Sequence, residues 1–415
     1  MASARRPYGV LGRVLGHSYT PIIYRELASL EYVRFEREPE ELESFIRGGA
    51  WEGVNVTIPY KKEVAALLDE VSPIARRLGN VNTVTRLADG RLRGDNTDYY
   101  GFNVLVESLG LDITGAKALV FGGHGGAGST AMAVLRDLGA RPVAIGRTGA
   151  DTYETLDSHA DATLAVNCTP AGMYPRCPAA PCSLEALPNL RGVIDIVYNP
   201  ARTALMMEAE RRGIAVAGGL LMLVAQAAQA VERYTGTMPS LERIHEVTAR
   251  LAATEENVAL IGMPGSGKTR VGEQLADKMG REHVDIDRVL EERLGCSCAS
   301  FIESHGEAAF RVQETAALHD VAARSGLVIS CGGGVVTRPE NYPLLHQNSR
   351  IVMLDRPLGE LSRKGRPITA RDGIETLARR RMPLYHAWAD LTVDSRETAE
   401  RTAQAAIDAL PPALH

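Results

Sequence analysis

The sequence predicts an α/β protein built on parallel sheets, and three observations carry that expectation. Short apolar runs alternate with stretches of helical periodicity along almost the whole chain, the pattern of strands joined by crossover helices. Two glycine-rich loops, at 123–128 and 262–269, each follow an apolar run and open a helical pattern. A length of 415 residues leaves room for two or three domains, each with its own core.

Apolar runs at 8–15, 53–58 and 81–86 read as the first strands, separated by helical patterns up to about residue 110. Runs at 117–122, 140–145, 163–166 and 193–197 read as a second set, and the whole alternation predicts a parallel sheet covered on both faces. Residues 213–231 carry no charge and could mimic a membrane span. Gly218–Gly219 interrupts them and Gln226 and Gln229 lie within, so a strand, a turn and a buried helix fit better. Leu241, Ile244, Val247 and Leu251 then fall near helical spacing, with Ser240 placed to cap. A second alternation begins at 257–262, with strands near 282–285, 326–330 and 350–354, after a join of only about 253–257.

Charge narrows the function. Lys plus Arg is 46 against 51 for Asp plus Glu, a net −5, which excludes binding to nucleic acid by bulk basicity. Any anionic ligand has to be held by local positive groups. Hydrophobic residues at 45% and charged residues at 23% exclude a disordered chain. Six cysteines without a C-x-x-C pair read as reduced thiols rather than a disulfide frame or a zinc site. With no long apolar core at the N-terminus, a cytoplasmic location is expected, with no membrane, nucleic-acid or obligatory protein partner.

At the first loop, Gly123, Gly125 and Gly128 satisfy G-x-G-x-x-G between a strand and a helix, with Gly126 and Ala127 at the helix opening. The first two glycines let the backbone turn and approach a pyrophosphate, which meets the helix N-terminus. A following strand ends at Ile145, and Gly146-Arg147-Thr148 come next with no carboxylate to repel a 2′-phosphate. A guanidinium there favours NADP(H) over NAD.

Residues 7 to about 253 resemble shikimate dehydrogenases. The resemblance rests on His17-Ser-Tyr-Thr-Pro21, Asn55-Val-Thr-Ile-Pro-Tyr-Lys-Lys62, Asn82-Thr83, Gly94-Asp-Asn-Thr-Asp98, Asp195-Ile-Val-Tyr-Asn-Pro200 and Met222-Leu-Val-Ala-Gln226. It implies that Lys61 is the general acid/base and that Asp98 polarises both it and a substrate hydroxyl. It also implies that Ser18, Thr20 and Tyr198 hold a substrate carboxylate and that Thr57, Asn82 and Gln226 bond ring hydroxyls. Ile196 and Gly219 fall on the nicotinamide side. The chain departs from the family at Thr20 (usually Ser), His124 (usually small), Gly146 (usually Asn) and Leu221 (usually Gly).

At the second loop, Gly262-Met-Pro-Gly-Ser-Gly-Lys-Thr269 satisfies G-x-x-x-x-G-K-[ST] in full. Backbone N–H groups of such a loop cradle ATP phosphates, Lys268 reaches the β- and γ-phosphates, and the Thr269 hydroxyl serves Mg²⁺. From here to the end the chain resembles shikimate kinases, through Asp285-Ile-Asp287, Gly306-Glu-Ala-Ala-Phe-Arg-Val-Gln-Glu314, Gly332-Gly-Gly334, Arg366-Pro367 and Arg381-Met-Pro-Leu-Tyr385. Asp285 and Asp287, taken as strand residues, are expected to share a face.

The second resemblance implies that Asp285 supports hydrated Mg²⁺ and that Asp287 binds the ring hydroxyls. Arg311 and Arg381 grip the substrate carboxylate, and Gly333 lets backbone approach the ring. Gly265, Ser266, Gly267 and Arg270 complete the phosphate loop, Arg366 closes on the phosphates from a lid, and Arg396 stacks on adenine. The lid is shorter than many, and Ile368 stands where Leu is usual.

The expected organisation is a substrate-binding α/β domain at 1–103 closed by helices at about 221–253, a Rossmann NADP domain at 104–220, and a P-loop kinase domain at 257–415 with a parallel sheet. The expected activities are reduction of 3-dehydroshikimate and phosphorylation of shikimate. The rivals are one degenerate half, a quinate- and NAD-preferring enzyme, and a nucleotide sensor without turnover. The intact Lys61/Asp98 and Lys268/Asp285/Asp287/Arg311 sets argue against the first and last, and Arg147 and Thr20 against the second.

Overall fold

The computed structural model describes residues 6–15, 19–362 and 367–411. Ser18 and Arg366 lie outside the described residues. The chain divides into two compact units. One comprises Met1–Ala171, Ala180–Tyr198 and Glu208–Ala249, the other Gly172–Ala179, Asn199–Met207 and Arg250–His415.

The first unit holds two sheets. One has the strand order Tyr32–Glu36, Tyr8–Gly12, Gly53–Val56, Thr83–Arg86, Leu92–Asp95, Glu70–Val71. It is mixed rather than parallel, because Gly53–Val56 and Leu92–Asp95 both run antiparallel to Thr83–Arg86. The cause is a tight hairpin: Gly90 adopts φ +87°, the Leu87 N–H donates to the Arg91 carbonyl, and the Asp89-Gly90 dipeptide is a strong hairpin signal. Trp51, Val54, Val56, Tyr60 and Val84 fill the core beside this sheet.

The second sheet is parallel throughout, in the order Ala215–Gly218, Gly192–Asp195, Leu164–Asn167, Lys117–Phe121, Arg141–Ile145. The uncharged 213–231 stretch splits into the strand Ala215–Gly218 and the helix Gly219–Thr235 with no turn between, Gly218 serving as N-cap. Among the described residues no helix is long and apolar enough to cross a membrane. The six cysteines are unpaired thiols.

The second unit is an α/β layer around a parallel five-stranded sheet, ordered Glu282–Asp285, Leu327–Ser330, Asn257–Ile261, Ser349–Asp355, Leu391–Asp394. The central strand is apolar on both faces. Ala259 and Ile261 join one core cluster, Val258 and Leu260 the other. The helix Leu241–Glu255, which belongs to the first unit as far as Ala249, begins where expected, with the Ser240 hydroxyl accepting from the Arg243 N–H at 3.1 Å.

Back in the first unit, the helices Asp98–Ser108 and Gly219–Thr235 pack face to face, and Gly101 makes their spacing possible. A Cβ at 101 would lie 2.7 Å from the Met222 carbonyl oxygen and 2.9 Å from the Gln226 Cβ. Gly101→Ala gains about 1 kcal/mol of helix propensity, but the forced separation costs up to about 3 kcal/mol. The expected result is a lower denaturant midpoint for the first unit's transition, with a net loss of about 1–2 kcal/mol. A midpoint at or above that of the parent chain would contradict the close crossing.

Candidate functional site

In the first unit, a lysine and a carboxylate meet at the start of a helix. Lys61 Nζ donates to Asp98 Oδ2 at 2.6 Å, with the side chains 29% and 16% exposed. Asp98 opens the helix Asp98–Ser108, where the exposed N–H groups favour its charge. The Lys61 loop is stitched to its neighbours through backbone: Val81 N donates to Lys61 O and Val56 N to Asn82 O, both at 2.7 Å, and Tyr60 N to Thr57 O at 3.0 Å.

From Asn82 a buried hydrogen-bond chain runs on. The Asn82 amide donates to Thr97 Oγ1 at 3.1 Å and accepts from Thr97 N at 2.8 Å, and Thr97 Oγ1 donates to Gln226 Oε1 at 3.3 Å. Side-chain bonds thus join Asn82 to Gln226 through Thr97, and backbone bonds and the Thr97–Asp98 peptide hold Thr57, Lys61 and Asp98 next to them. Behind it, Asn55 Oδ1 accepts from the hydroxyls of Tyr24, Tyr32 and Tyr234 at 2.5, 2.8 and 3.0 Å, and its amide reaches Thr83 Oγ1 at 3.0 Å. Thr97 and the three tyrosines were not singled out from the sequence. Asn55, Thr83 and Thr97 sat inside quoted strings, but nothing local gives their partners. Thr20 starts the helix Thr20–Ala28, and its neighbour Tyr19 packs on Tyr198 with ring centroids 5.5 Å apart.

The glycine loop of the same unit joins the strand Lys117–Phe121 to the helix Gly126–Asp137. The turn itself is made by Gly122, at φ +74°, and not by Gly123 as the fingerprint suggests. Gly123 and Gly128 serve close approach: a Cβ would fall 2.6 Å from that of Ala144 and 2.1 Å from the Gly122 carbonyl oxygen. Gly125 is the N-cap and Ala127 lies in the first turn. Gly146 bonds back to the Asp151 carbonyl at 3.2 Å, leaving Arg147 and Thr148 exposed beyond it. A Cβ at Gly219 would sit 2.0 Å from the Ile196 carbonyl oxygen, so those two backbones touch.

In the second unit a cavity of about 730 Å³ opens over the phosphate loop. Every residue from Gly265 to Arg270 lines it, together with Asp285, Asp287, Arg311, Gly333 and Arg381. Gly265 and Gly267 hold φ +91° and +96° there. Lys268 Nζ donates to the Gly262 and Met263 carbonyls at 2.9 and 3.0 Å, and the buried Ser266 hydroxyl has no hydrogen-bond partner among the described residues. Arg396 is not among the lining residues. Its guanidinium lies on Asp394 and is 61% exposed.

Asp285 and Asp287 do not share a strand face, because the strand ends at Asp285 and the helix Ile286–Leu294 starts at once. They converge through a cap: Asp285 Oδ1 accepts from Asp287 N at 2.9 Å while Oδ2 accepts from Thr269 Oγ1 at 2.6 Å. An aspartate N-cap before a helical pattern is a signal the sequence carried. Burial, then the charges of Asp285 and Glu314, push the Asp287 carboxyl up to about 6.

The arginines are clamped by the protein. Arg311 donates to Glu314 Oε2 at 2.7 Å, and that glutamate side chain is wholly buried. Arg381 donates to the Gly333 carbonyl at 3.0 Å, an oxygen that the Tyr385 hydroxyl also bonds. Glu314 and Tyr385 are functional neighbours not assigned from the sequence, although both fall within recognised strings.

The upward shift at Asp287 fixes a sign. Folding favours its neutral form, so its stabilising contribution is full below the unfolded carboxyl's value and is lost as pH rises through about 6. Site-resolved carboxyl NMR should find the Asp287 titration near 6, moving downward in Asp285→Asn. A midpoint in the ordinary aspartate range that ignores that substitution would contradict the geometry.

Comparison with known proteins agrees with both halves. Residues 10–84 match the family "Shikimate dehydrogenase substrate binding domain", and residues 264–411 match "Shikimate kinase". A shikimate dehydrogenase (NADP(+)) of Bacillus mycoides is 31% identical over 270 residues, 59% of this chain and 97% of that protein. One of Clostridium beijerinckii is 36% identical over 246 residues, covering 54% and 90%. Among solved structures, shikimate 5-dehydrogenase of Thermus thermophilus in complex with NADP(H) and shikimate aligns at TM-score 0.53 with 34% identity, covering 59% of this chain and 98% of that one. A chorismate mutase/shikimate 5-dehydrogenase fusion protein of Clostridium acetobutylicum aligns at 0.57 with 29% identity, covering 60% and 98%. The chain therefore belongs to the shikimate dehydrogenase family and carries a shikimate kinase domain after it.

Proposed function

We propose that this chain catalyses two consecutive reactions: reduction of 3-dehydroshikimate to shikimate with NADPH, and phosphorylation of the shikimate 3-hydroxyl with ATP and Mg²⁺. The first reaction rests on the Lys61–Asp98 pair at 2.6 Å, with Asp98 next in sequence to Thr97, whose hydrogen bonds join Asn82 to Gln226. The second rests on the cavity where a phosphate loop faces two arginines and two aspartates.

In the first unit, Lys61 is a proton donor to the oxygen that becomes a hydroxyl, and Asp98 keeps the ammonium oriented toward it. Asn82, Thr57 and Gln226 offer amide and hydroxyl groups to the ring, and Ser18, Thr20 and Tyr198 hold its carboxylate. Such a site discriminates strongly, since an analogue lacking a hydroxyl strands a buried polar partner. The glycine loop fits a dinucleotide because Gly123 and Gly128 sit where a side chain would collide with backbone or strand. Arg147 is the group that favours the 2′-phosphate of NADP(H).

In the second unit, the orphaned Ser266 hydroxyl and the positive-φ glycines suit a phosphate chain. Thr269 and Asp285 form a hard oxygen pair that suits Mg²⁺, an ion that usually keeps several waters and few protein ligands. When bound, NADPH supplies hydride, and MgATP supplies the phosphoryl group with its charge partly offset. Lys268 holds phosphate oxygens, Asp287 orients the attacking hydroxyl, and Arg311 with Arg381 fixes the ring's carboxylate, so the reacting atoms are held in line. Arg366 and Arg396 are the remaining nucleotide contacts of this reading. The substrates are small molecules throughout.

Two substitutions test the two halves separately. Lys61→Ala should lower NADPH-dependent turnover at least about 100-fold while calorimetry still counts two shikimate molecules per chain; near-normal turnover would refute the proton-donor role. For the kinase, Arg311→Lys keeps a charge beside buried Glu314 but loses the guanidinium fork, and should raise KM for shikimate about tenfold. An unchanged KM would remove Arg311 from the carboxylate site. Quinate and NADH, run alongside, test the rival preference.

A further inference from the structure

Glu307 places a carboxylate of the chain itself where an incoming carboxylate has to be received. Its Oε1 lies 3.1 Å from Arg311 Nη2 and 3.9 Å from Arg381 Nη2, so the two guanidinium groups converge on one oxygen. Its Oε2 accepts from Arg371 Nη2 at 2.9 Å, on the helix Pro367–Asp372. Burial would raise the Glu307 carboxyl, but hydrogen bonds from Arg371 and Arg311 outweigh it and hold the group below the usual carboxylate range.

The three carboxylates around this cluster are unequal. Glu314 is wholly buried on Arg311, and Asp372 pairs with Arg371 rather than with the cavity arginines. Glu307 is 27% exposed, while the Arg311 and Arg381 side chains are 10% and 6% exposed. It also follows directly on the break in its helix, where Gly306 adopts φ +84° and ψ 162° with open space around its Cβ direction. Of the anions beside the two arginines, Glu307 is the one whose backbone and solvent contact let it move.

We propose that Glu307 is an internal stand-in for the substrate carboxylate, occupying the Arg311–Arg381 pair and yielding it to a carboxylate-bearing ligand. This rests on the reading that these arginines hold the substrate carboxylate. Ligand and Glu307 together would crowd extra negative charge on a guanidinium pair of which Arg311 is already shared with Glu314, so one displaces the other. The exchange sets specificity: only an anionic ligand restores the interaction that Glu307 gives up, and a neutral ring polyol does not. It also connects the carboxylate site to Arg371, which loses a partner when Glu307 leaves.

Glu307→Gln in the full-length chain tests the exchange, because it removes the competitor and keeps its shape. The dissociation constant for shikimate at the phosphate-loop cavity, resolved by calorimetry as the site that Glu307→Gln changes while the second site stays constant, should fall roughly three- to tenfold, and the kinase KM should fall in step. A merely supportive Glu307, one that aims Arg311 and Arg381, predicts the opposite sign. An unchanged or higher dissociation constant therefore overturns the inference. Arg311→Lys, measured in parallel, keeps the two levels apart: a raised KM there leaves the carboxylate reading standing whatever Glu307→Gln does, and an unchanged KM removes that reading itself.

Discussion

The dehydrogenase site depends on how closely two helices approach. Asp98 begins one helix and Gln226 belongs to the other, and the missing side chain at Gly101 lets the first rest on the Met222 carbonyl of the second. That spacing allows Thr97 to bridge Asn82 and Gln226, separated by more than a hundred positions in the chain. The Lys61–Asp98 pair then inherits a rigid frame. In a partly buried ion pair such as this one, lost hydration offsets much of the attraction, so its net contribution to stability is small. Its value is orientation, supplied by the buried amide and hydroxyl chain behind it.

The phosphate-loop cavity uses the reverse arrangement. Its charged groups are balanced against one another around a buried Arg311, Glu314 and Lys268: Arg311 lies between Glu314 and Glu307, Asp287 beside Asp285 and Glu314, and Lys268 is turned on the carbonyls of its own loop. Buried pairs of this kind are costly to break, since removing one partner strands the other. This is why Glu314, which touches no predicted ligand, bears on how Arg311 can be presented, and why the movable Glu307 is the natural point of exchange.

Much of both sites was legible from residue strings. The strand–loop–helix contexts of the two glycine loops and the strand Glu282–Asp285 are where local pattern placed them, whereas Lys61 and Asp98 were marked by the resemblance alone. What local pattern could not carry is pairing between distant positions. The Asn55 oxygen gathers three tyrosine hydroxyls from separate elements, and Glu314 becomes significant only once the chain folds it onto the cavity. Other misses had local causes. Asp89-Gly90 signals the hairpin that turns the first sheet mixed, Gly122 lies one position ahead of the glycine fingerprint, and Asp285 reads as a strand residue until its capping role is recognised.

On the proposed function, one polypeptide presents two separate pockets to the same ring acid. Equilibrium dialysis of the intact chain with radiolabelled shikimate, at concentrations saturating both nucleotide loops with their non-reacting analogues, measures this directly. Two molecules retained per chain, falling to one when the phosphate-loop cavity is disabled, is the predicted result. A single molecule retained, unaffected by that change, would contradict it.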